Sequence, residues 1–410
     1  MSVFIASAVL ISIGSAYAIL LKRKLAETLF LSATTVVGIL YCFGLSNIKG
    51  CLMFGIYFLI AFALACFVYF VLRTLKDKKI IQEAEIIQGL LLYMVFLAAS
   101  LAFNIGRVFH HWDEFSHWGV AVKYFYSVDA LATFTEPGIH GISYPQYFPG
   151  TSLFQYFFSR FDSQFVEWYS YVAMNILYFS LIMPLVKDIF DKEKCIKSIS
   201  LLIIFFLLPL QNASFYSSLY VDQILGAFFG FTLIYYFAYR YEQSAFGVLI
   251  VSASIFMATV TKDVGMILAL GAIAVIILDT ILFRRKDIEV YFFSSSSILS
   301  GFWNTTLLLM PLASTIFAKI TWSSLLVRSG FRATGAWRRP SLYNIYSLIL
   351  GQVEPYQMET ARNLLSAAFS RNIRFLPLSA FEFCAVFIFA VAALSILKVS
   401  FTYFCTRNSM

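Results

Sequence analysis

Residues 51–72 read CLMFGIYFLIAFALACFVYFVL and contain no charged side chain, whereas residues 73–79, RTLKDKK, contain five. About 20 residues of α-helix cross the hydrocarbon core of a bilayer, and a long uncharged stretch that ends in basic residues is typical of such a helix. Transmembrane β-strands are shorter and alternate in hydrophobicity, which this stretch does not. Residues 51–72 therefore predict a membrane-spanning helix.

Ten further long apolar runs, each with at most one charged residue, have the same character. We therefore expect an all-α polytopic membrane protein with about 11 transmembrane helices in one transmembrane domain, residues 1–410. The composition agrees, because 60% of the residues are hydrophobic and only 13% are charged, which excludes an ordinary water-soluble domain. Basic residues follow the first run rather than precede it, so we expect a retained span; removal of this segment is the alternative, because residues 15–18 resemble a signal-peptide cleavage site. The ten runs lie near residues 3–21, 26–46, 87–106, 167–186, 198–219, 222–239, 245–261, 265–283, 294–318 and 379–397.

Basic residues concentrate on alternate connections between the runs. One set of connections holds 17 Lys and Arg, and the opposing short connections hold two, Lys49 and Lys262. Cytoplasmic loops of membrane proteins are enriched in Lys and Arg, so the first set is predicted to be cytoplasmic. The protein is then expected in the cell membrane with its N-terminus outside and its C-terminus in the cytoplasm. Because membrane orientation accounts for most of the basic residues, the net charge of +8 does not indicate a nucleic-acid partner.

Two long segments, residues 107–166 and 319–378, fall on the predicted outer side, and they carry opposite charge. Residues 107–167 hold three basic and six acidic side chains, whereas residues 319–378 hold eight basic and two acidic ones, and seven of those eight are arginine. Arginine forms paired hydrogen bonds with phosphate oxygens, so the second segment indicates a phosphate ligand. Contact of Arg338 and Arg339 with lipid headgroups is the alternative interpretation.

The first outer segment opens with HHWDEFSHW at residues 110–118, and all four histidines of the chain lie between residues 110 and 140. A helix from Asp113 onward would place His117 on one face with Asp113 and Glu114. Three interpretations follow. A carboxylate at the mouth of a membrane cavity can act as a general base, the three side chains could hold a divalent metal such as Mg²⁺ or Mn²⁺, or the segment is an interfacial helix with solvated polar groups.

Three shorter polar features lie on the same predicted side. Residues 144–152, YPQYFPGTS, predict a turn that caps or re-enters the membrane cavity, because two prolines restrict the backbone and a glycine permits a tight bend. Residues 220–223, YVDQ, and 261–265, TKDVG, each join two runs almost without a loop. An ionisable residue at such a hairpin tip is either functional or simply marks the aqueous boundary.

This combination resembles the C-type glycosyltransferases (GT-C), and within them the bacterial mannosyl- and arabinosyltransferase-like group. The resemblance covers chiefly residues 107–265. This chain differs from that family in two respects. Four runs precede its acidic segment, and residues 146–148 interrupt what is a compact Tyr-Pro-Pro in many members. The motifs that carry the resemblance are Asp113-Glu114, Tyr144-Pro145 with Pro149-Gly150, Tyr220 with Asp222, and Thr261-Lys262 with Gly265.

The resemblance implies transfer of a sugar from a polyprenyl-phosphate donor to an acceptor glycan, lipid or protein at the outer face of the membrane, among membrane lipids. Asp113 would be the general base on the acceptor hydroxyl, and Glu114 would orient it or share its proton. Substrate contacts would come from His117, Tyr144, Tyr220 and Asp222. No cofactor is certain, and Mg²⁺ or Mn²⁺ would bind at Asp113, Glu114 and His117. The departing phosphate would be bound by Lys262, Arg328, Arg332, Arg338 and Arg339.

Two other functions compete with this one. A polysaccharide polymerase or ligase also uses arginine-rich outer segments to act on lipid-linked glycans, but the adjacent Asp113 and Glu114 favour a transferase of single sugars. A secondary transporter would place ionisable residues near the middle of its spans. Asp279 is the strongest such residue, and it is predicted near a cytoplasmic end.

Overall fold

The computed structural model describes residues 1–131, 146–207, 209, 214–242, 244–283, 297–330, 346–347 and 350–370. All regular elements within these residues are helical, with one 3₁₀ turn at Phe215–Ser217. The chain forms two compact units, Met1–Thr334 and Gly335–Met410. The α-helices are α1 (Ser2–Leu21), α2 (Leu25–Gly44), α3 (Cys51–Lys76), α4 (Lys79–Glu83), α5 (Ile86–Asn104), α6 (Trp112–Ser116), α7 (Trp118–Val128), α8 (Gly150–Ser159), α9 (Trp168–Ile182), α10 (Cys195–Leu207), α11 (Val221–Tyr239), α12 (Ala245–Thr259), α13 (Asp263–Phe283), α14 (Ser297–Arg328) and, in the second unit, α15 (Pro355–Ser370).

Within the described residues, seven helices are long and apolar enough to cross a membrane. They are α1, α2, α3, α5, α11, α13 and the Thr305–Arg328 part of α14. The described part of the chain is thus all-helical with several candidate membrane spans, and the expected total of about 11 is not reached within it.

Three of the eleven predicted spans coincide with shorter helices. Helices α9, α10 and α12 have 15, 13 and 15 residues. Helix α9 ends at Ile182, two residues before Pro184, and α10 ends at Leu207, two residues before Pro209. A proline has no backbone N–H to donate and its ring clashes with the carbonyl four residues earlier, so these prolines disfavour continuation of helices that hydropathy alone extends further. The predicted span 379–397 lies outside the described residues.

Connections that the sequence assigns to one side of the membrane meet at one end of the first unit, which we call the basic end. The buried carboxylate of Glu27 is its centre: it accepts hydrogen bonds from Lys187 Nζ at 2.6 Å and from the Tyr239 hydroxyl at 2.8 Å. The ion pairs at this end include Arg23–Glu242, Lys24–Glu85, Lys24–Asp188 and Lys187–Glu27.

The opposite end, which we call the site end, is formed by α6, α7, α8 and the tips of two hairpins. All ten residues of α8 are buried, and α8 packs against α2, α7 and α9. An ion pair joins the end of α7 to the end of α8, because Arg160 donates to both carboxylate oxygens of Asp129 at 2.8 and 3.0 Å. Helix α8 therefore supports the polar segments at this end from within the bundle.

Candidate functional site

Glu114 anchors the first outer segment to the bundle. Its side chain is fully buried and accepts four hydrogen bonds. Oε2 accepts from the backbone amides of His110 and His111 and from the Tyr171 hydroxyl, at 2.8, 3.0 and 2.8 Å, and Oε1 accepts from the Leu219 amide at 3.0 Å. A carboxylate with this many donors is held rigidly, which suits a residue that positions α6.

Asp113 precedes this anchor and has a different environment. Its side chain is partly exposed, and no hydrogen bond or ion pair joins its carboxylate to another described residue. Burial, followed by the negative charges of Asp113 and Glu114, raises the pKa of Tyr220 above its usual value. Asp113 therefore lies near Tyr220, and its carboxylate is available to a ligand.

The other described acids of residues 107–167 are all paired. Glu167 accepts from Lys123 at 2.6 Å, and Asp129 pairs with Arg160. Asp162 accepts from the Tyr169 hydroxyl at 2.7 Å. Glu136 lies outside the described residues. Among the acids that the structure describes here, Asp113 alone has no side-chain partner.

His117 interrupts the helix that the sequence predicts from Asp113 onward. Its backbone angles, φ −149° and ψ −70°, end α6 at Ser116 and start α7 at Trp118. The ring is buried and lies edge-on to Tyr147, with centroids 5.2 Å apart. Burial and the nearby charge of Lys262 lower the pKa of His117 from 6.5 to about 4, so the imidazole is neutral at pH 7. The helix break therefore directs the His117 side chain toward Tyr147 and Lys262 and not onto one helical face with Asp113 and Glu114.

Residues 146–150 are fixed by contacts with two distant parts of the chain. The Gly150 amide donates to the Val260 carbonyl at 2.7 Å, which attaches the segment to the α12–α13 hairpin. Trp322 of α14 donates from Nε1 to the Gln146 carbonyl at 2.8 Å and stacks on Phe148, with centroids 5.5 Å apart. The predicted turn thus packs onto the site end. Tyr144 lies outside the described residues.

The two hairpin tips singled out in the sequence contact each other. Lys262 Nζ donates to Asp222 Oδ1 at 2.7 Å, and it lies 5.5 Å from the ring centroid of Tyr147. The Lys262 side chain is 18% exposed and that of Asp222 is 65% exposed. A cation whose counterion is this exposed can exchange it for another anion.

Lys319 is a second cation at the same place, and the sequence interpretation counted it only as one of the basic residues of segment 319–378. Its Nζ lies 3.5 Å from Asp263 Oδ1 and 5.7 Å from the ring centroid of Phe148. Lys262 and Lys319 therefore lie beside neighbouring aromatic rings of one segment. A signal for Lys319 was present, because it is the one charged residue between positions 297 and 327, and ionisable residues in apolar helices are commonly functional.

The predicted arginines are placed less completely. Arg328 is exposed at the end of α14, and its Nη2 donates to the carbonyl of Leu45, which follows α2, at 3.3 Å. Arg332, Arg338 and Arg339 lie outside the described residues. The cations described next to the site aromatic rings are thus lysines.

The metal set expected from the sequence, Asp113, Glu114 and His117, does not form a compact cluster. Among the described residues, His110, His111 and Glu114 are the group whose ligand atoms all lie within 4.8 Å of one another. Both Glu114 oxygens already accept hydrogen bonds, and His117 lies beside Tyr147. The residues of the expected set, as the structure places them, therefore do not fit a bound Mg²⁺ or Mn²⁺.

No protein-family model, curated protein or solved structure matches this chain.

Proposed function

We infer that the protein is a membrane glycosyltransferase that moves a sugar from a polyprenyl-phosphate donor to an acceptor glycan, lipid or protein. The observation that carries this proposal is the contrast between Asp113 and the other described acids of its segment. Asp113 is partly exposed and unpaired within the described residues, and the adjacent Glu114 is fully bonded. A carboxylate without a partner, on a helix that the neighbouring Glu114 holds in place, suits a general base.

In the proposed reaction, Asp113 removes the proton from the acceptor hydroxyl while the hydroxyl oxygen attacks the anomeric carbon of the donor sugar. The transition state resembles an oxocarbenium ion, which a neighbouring carboxylate stabilises. The bond from the anomeric carbon to the phosphate oxygen breaks, and the polyprenyl phosphate leaves as an anion. A phosphate leaving group needs no strong general acid.

Lys262 and Lys319 are the described cations best placed to bind that phosphate. Each is paired with a carboxylate at a hairpin tip, Asp222 or Asp263, and each lies beside an aromatic ring of residues 146–150. A phosphate would replace one carboxylate at each lysine and would gain charge-assisted hydrogen bonds.

Exposed aromatic residues support action at the membrane surface. Trp112 and Phe115 of α6 are 79% and 54% exposed, whereas Trp118 and Phe125 of α7 are buried. Aromatic side chains are enriched at the boundary between hydrocarbon and water. Helix α6 is therefore suited to contact lipid headgroups beside Asp113, where a lipid-linked donor would present its sugar.

The environment of Asp279 weighs against a secondary transporter. This buried carboxylate accepts from Arg240 Nη1 at 2.6 Å and from the Tyr236 hydroxyl at 2.7 Å. Arg240 follows α11 directly, so the pair lies toward the basic end and away from the site end. A transported ion or proton would have to displace an arginine there.

The deciding experiment is an assay of the purified protein against a panel of polyprenyl-phosphate sugars with glycan, lipid and protein acceptors. Transfer of a single sugar, with release of polyprenyl phosphate, is the expected result. Transfer of a whole lipid-linked glycan would favour a polymerase or ligase. Uptake of solute by proteoliposomes, without transfer from any donor, would overturn the proposal.

A further inference from the structure

A cavity of about 430 Å³ lies between α1, α2, α12 and α14. Its lining includes Leu20 and Leu21 at the end of α1, Gly38 of α2, Phe256 of α12 and Met310 of α14. Helix α1 ends, and α2 begins, at the basic end, so the cavity extends from near that end toward the middle of the bundle. None of the lining residues belongs to the site formed by Asp113, Lys262 and Lys319.

The walls of the cavity favour a hydrocarbon occupant. Three of the lining hydroxyls, on Thr34, Thr35 and Ser314, donate to carbonyls of their own helices at 3.0, 2.8 and 2.7 Å, and the Tyr17 hydroxyl bonds to Thr35 Oγ1 at 3.0 Å. Ser252 Oγ adds one polar atom that has no partner among the described residues. A ligand with many polar groups would lose more hydrogen bonds to water than this lining returns.

The cavity also reaches the surface of the bundle. Leu20 and Met310 line it and are 59% and 39% exposed. In a chain that spans a bilayer, the surface at this depth contacts lipid chains and not water. A chain from the surrounding bilayer can therefore enter the cavity from the side.

A basic residue without a described partner lies next to this cavity. Lys22 follows Leu21 directly and caps α1. Within the basic run 22–24, Arg23 pairs with Glu242 and Lys24 pairs with Glu85 and Asp188, but Lys22 is exposed and forms no ion pair with a described residue. Basic side chains at a membrane surface attract anionic lipid headgroups, by about 1 kcal/mol each.

We propose that this cavity binds an acyl chain of an anionic phospholipid from the leaflet at the basic end, with Lys22 next to the phosphate of its headgroup. The polyprenyl donor is a different ligand, because its phosphate would lie at the site end. The proposal does not depend on the transfer reaction, and it is tested without a transfer assay.

Native mass spectrometry of the protein in a mild detergent, supplied with phosphatidylglycerol or phosphatidylcholine, tests the proposal. Gly38→Leu fills the cavity, and a side chain at Gly38 meets no atom within 4 Å of its Cβ. Gly230→Leu is the matched control: Gly230 is equally unobstructed but lies on α11, which does not line the cavity. The wild type and Gly230→Leu should retain one phospholipid, whereas Gly38→Leu should lose at least about nine-tenths of that occupancy, a tenfold effect.

Lys22→Gln tests the headgroup assignment. It should reduce the preference for phosphatidylglycerol over phosphatidylcholine about fivefold, the change that about 1 kcal/mol corresponds to. Equal retention by Gly38→Leu and wild type would overturn the proposal, as would a wild-type protein that retains no phospholipid. Retention of polyprenyl phosphate in place of phospholipid would also overturn it. If Gly38→Leu does not fold, a phospholipid with a photoreactive acyl chain should label residues 249–256 or 310–314 of the wild type, and labelling confined to other helices would count against the cavity.

Discussion

The amide of Gly150 donates a 2.7 Å hydrogen bond to the carbonyl of Val260, and a Cβ at Gly150 would lie 2.5 Å from that same oxygen. Two segments separated by 110 positions thus approach more closely than any residue with a side chain would permit. Val260 lies two residues before Lys262, so this contact sets the position of Lys262 relative to Tyr147 and Phe148. The glycine is required here by the close approach, since its backbone would otherwise accept alanine.

We expect Gly150→Ala to damage the site more than a glycine substitution elsewhere. The added methyl group must push the α12–α13 hairpin away, and overpacking of this kind costs about 1–3 kcal/mol. Thermal unfolding in detergent should show a lower Tm, and transfer activity should fall at least about tenfold. Gly226→Ala on α11, where nothing lies within 4 Å of the Cβ, is the control: it should leave activity unchanged and should not lower the Tm, because alanine favours a helix interior more than glycine does. Equal activity of both variants would mean that the contact does not position Lys262.

Asp113→Asn should remove transfer activity and leave the fold intact. The amide is nearly the same size but cannot accept the proton of the acceptor hydroxyl, and general-base catalysis contributes about 10²- to 10⁴-fold. The Tm should stay at the wild-type value, because no described residue bonds to the Asp113 side chain. Initial rates at saturating donor are the measurement, and a variant with full activity would refute the assignment of Asp113 as the base.

Glu114→Gln should behave in the opposite way and reduce stability as well as activity. The buried carboxylate accepts four hydrogen bonds through its two oxygens. The NH₂ group of glutamine would replace one of these oxygens and would then face N–H or O–H donors. A buried donor left without an acceptor costs about 1–3 kcal/mol. Hydrogen exchange of residues 108–118 should therefore accelerate in this variant. The same measurement on Asp113→Asn provides the comparison and should match the wild type.

Lys262→Gln and Lys319→Gln should each weaken binding of the donor. Loss of one charge-assisted hydrogen bond to phosphate corresponds to about a tenfold increase in the Kd of a polyprenyl phosphate. Lys123→Gln is a matched control, because Lys123 also pairs with a carboxylate at this end, that of Glu167. Binding isotherms with a short-chain polyprenyl phosphate distinguish the three variants. An unchanged Kd in both Lys262→Gln and Lys319→Gln would place the phosphate elsewhere, with the arginines of segment 319–378 as the next set to test.

The buried His117 makes stability depend on pH in a defined window. Its pKa is about 4 in the folded protein and near 6.5 when exposed. Between these values the unfolded chain binds more protons than the folded one, so stability rises with pH across the window and falls as the pH is lowered from 6.5 toward 4. The Tm of wild type should thus decrease between pH 7.5 and 4.5 by several degrees more than the Tm of His117→Gln. Parallel curves for the two proteins would contradict the burial of a neutral imidazole.

The helical class and several of the spans could be predicted from the sequence because they depend on local properties. Hydropathy over about 20 residues is enough to locate helices such as α3, whose flanking charges are adjacent in the chain. The ends of α9 and α10 were missed because a window of this length averages over Pro184 and Pro209. A single residue that stops a helix changes the mean hydropathy very little.

The candidate site was predictable as a set of residues but not as an arrangement. The hairpin tips with Asp222 and Lys262 could be assigned to one side, yet their contact depends on the packing of α11 against α12 and α13. Lys319 was overlooked because its partner, Asp263, lies 56 positions away. The break at His117 also has no signal in helical periodicity, since Asp113, Glu114 and His117 have the spacing of one helical face.

The buried Glu27 at the basic end depends on partners that are synthesised much later than Glu27 itself. Its partners Lys187 and Tyr239 lie 160 and 212 positions later in the chain. When α2 has been synthesised, neither partner has been made, so water and Arg23, 4.0 Å away, are left to compensate the Glu27 carboxylate until Lys187 has been added. The Tyr239 hydroxyl adds the last of these hydrogen bonds, so the packing around Glu27 is complete only once α11 has been synthesised.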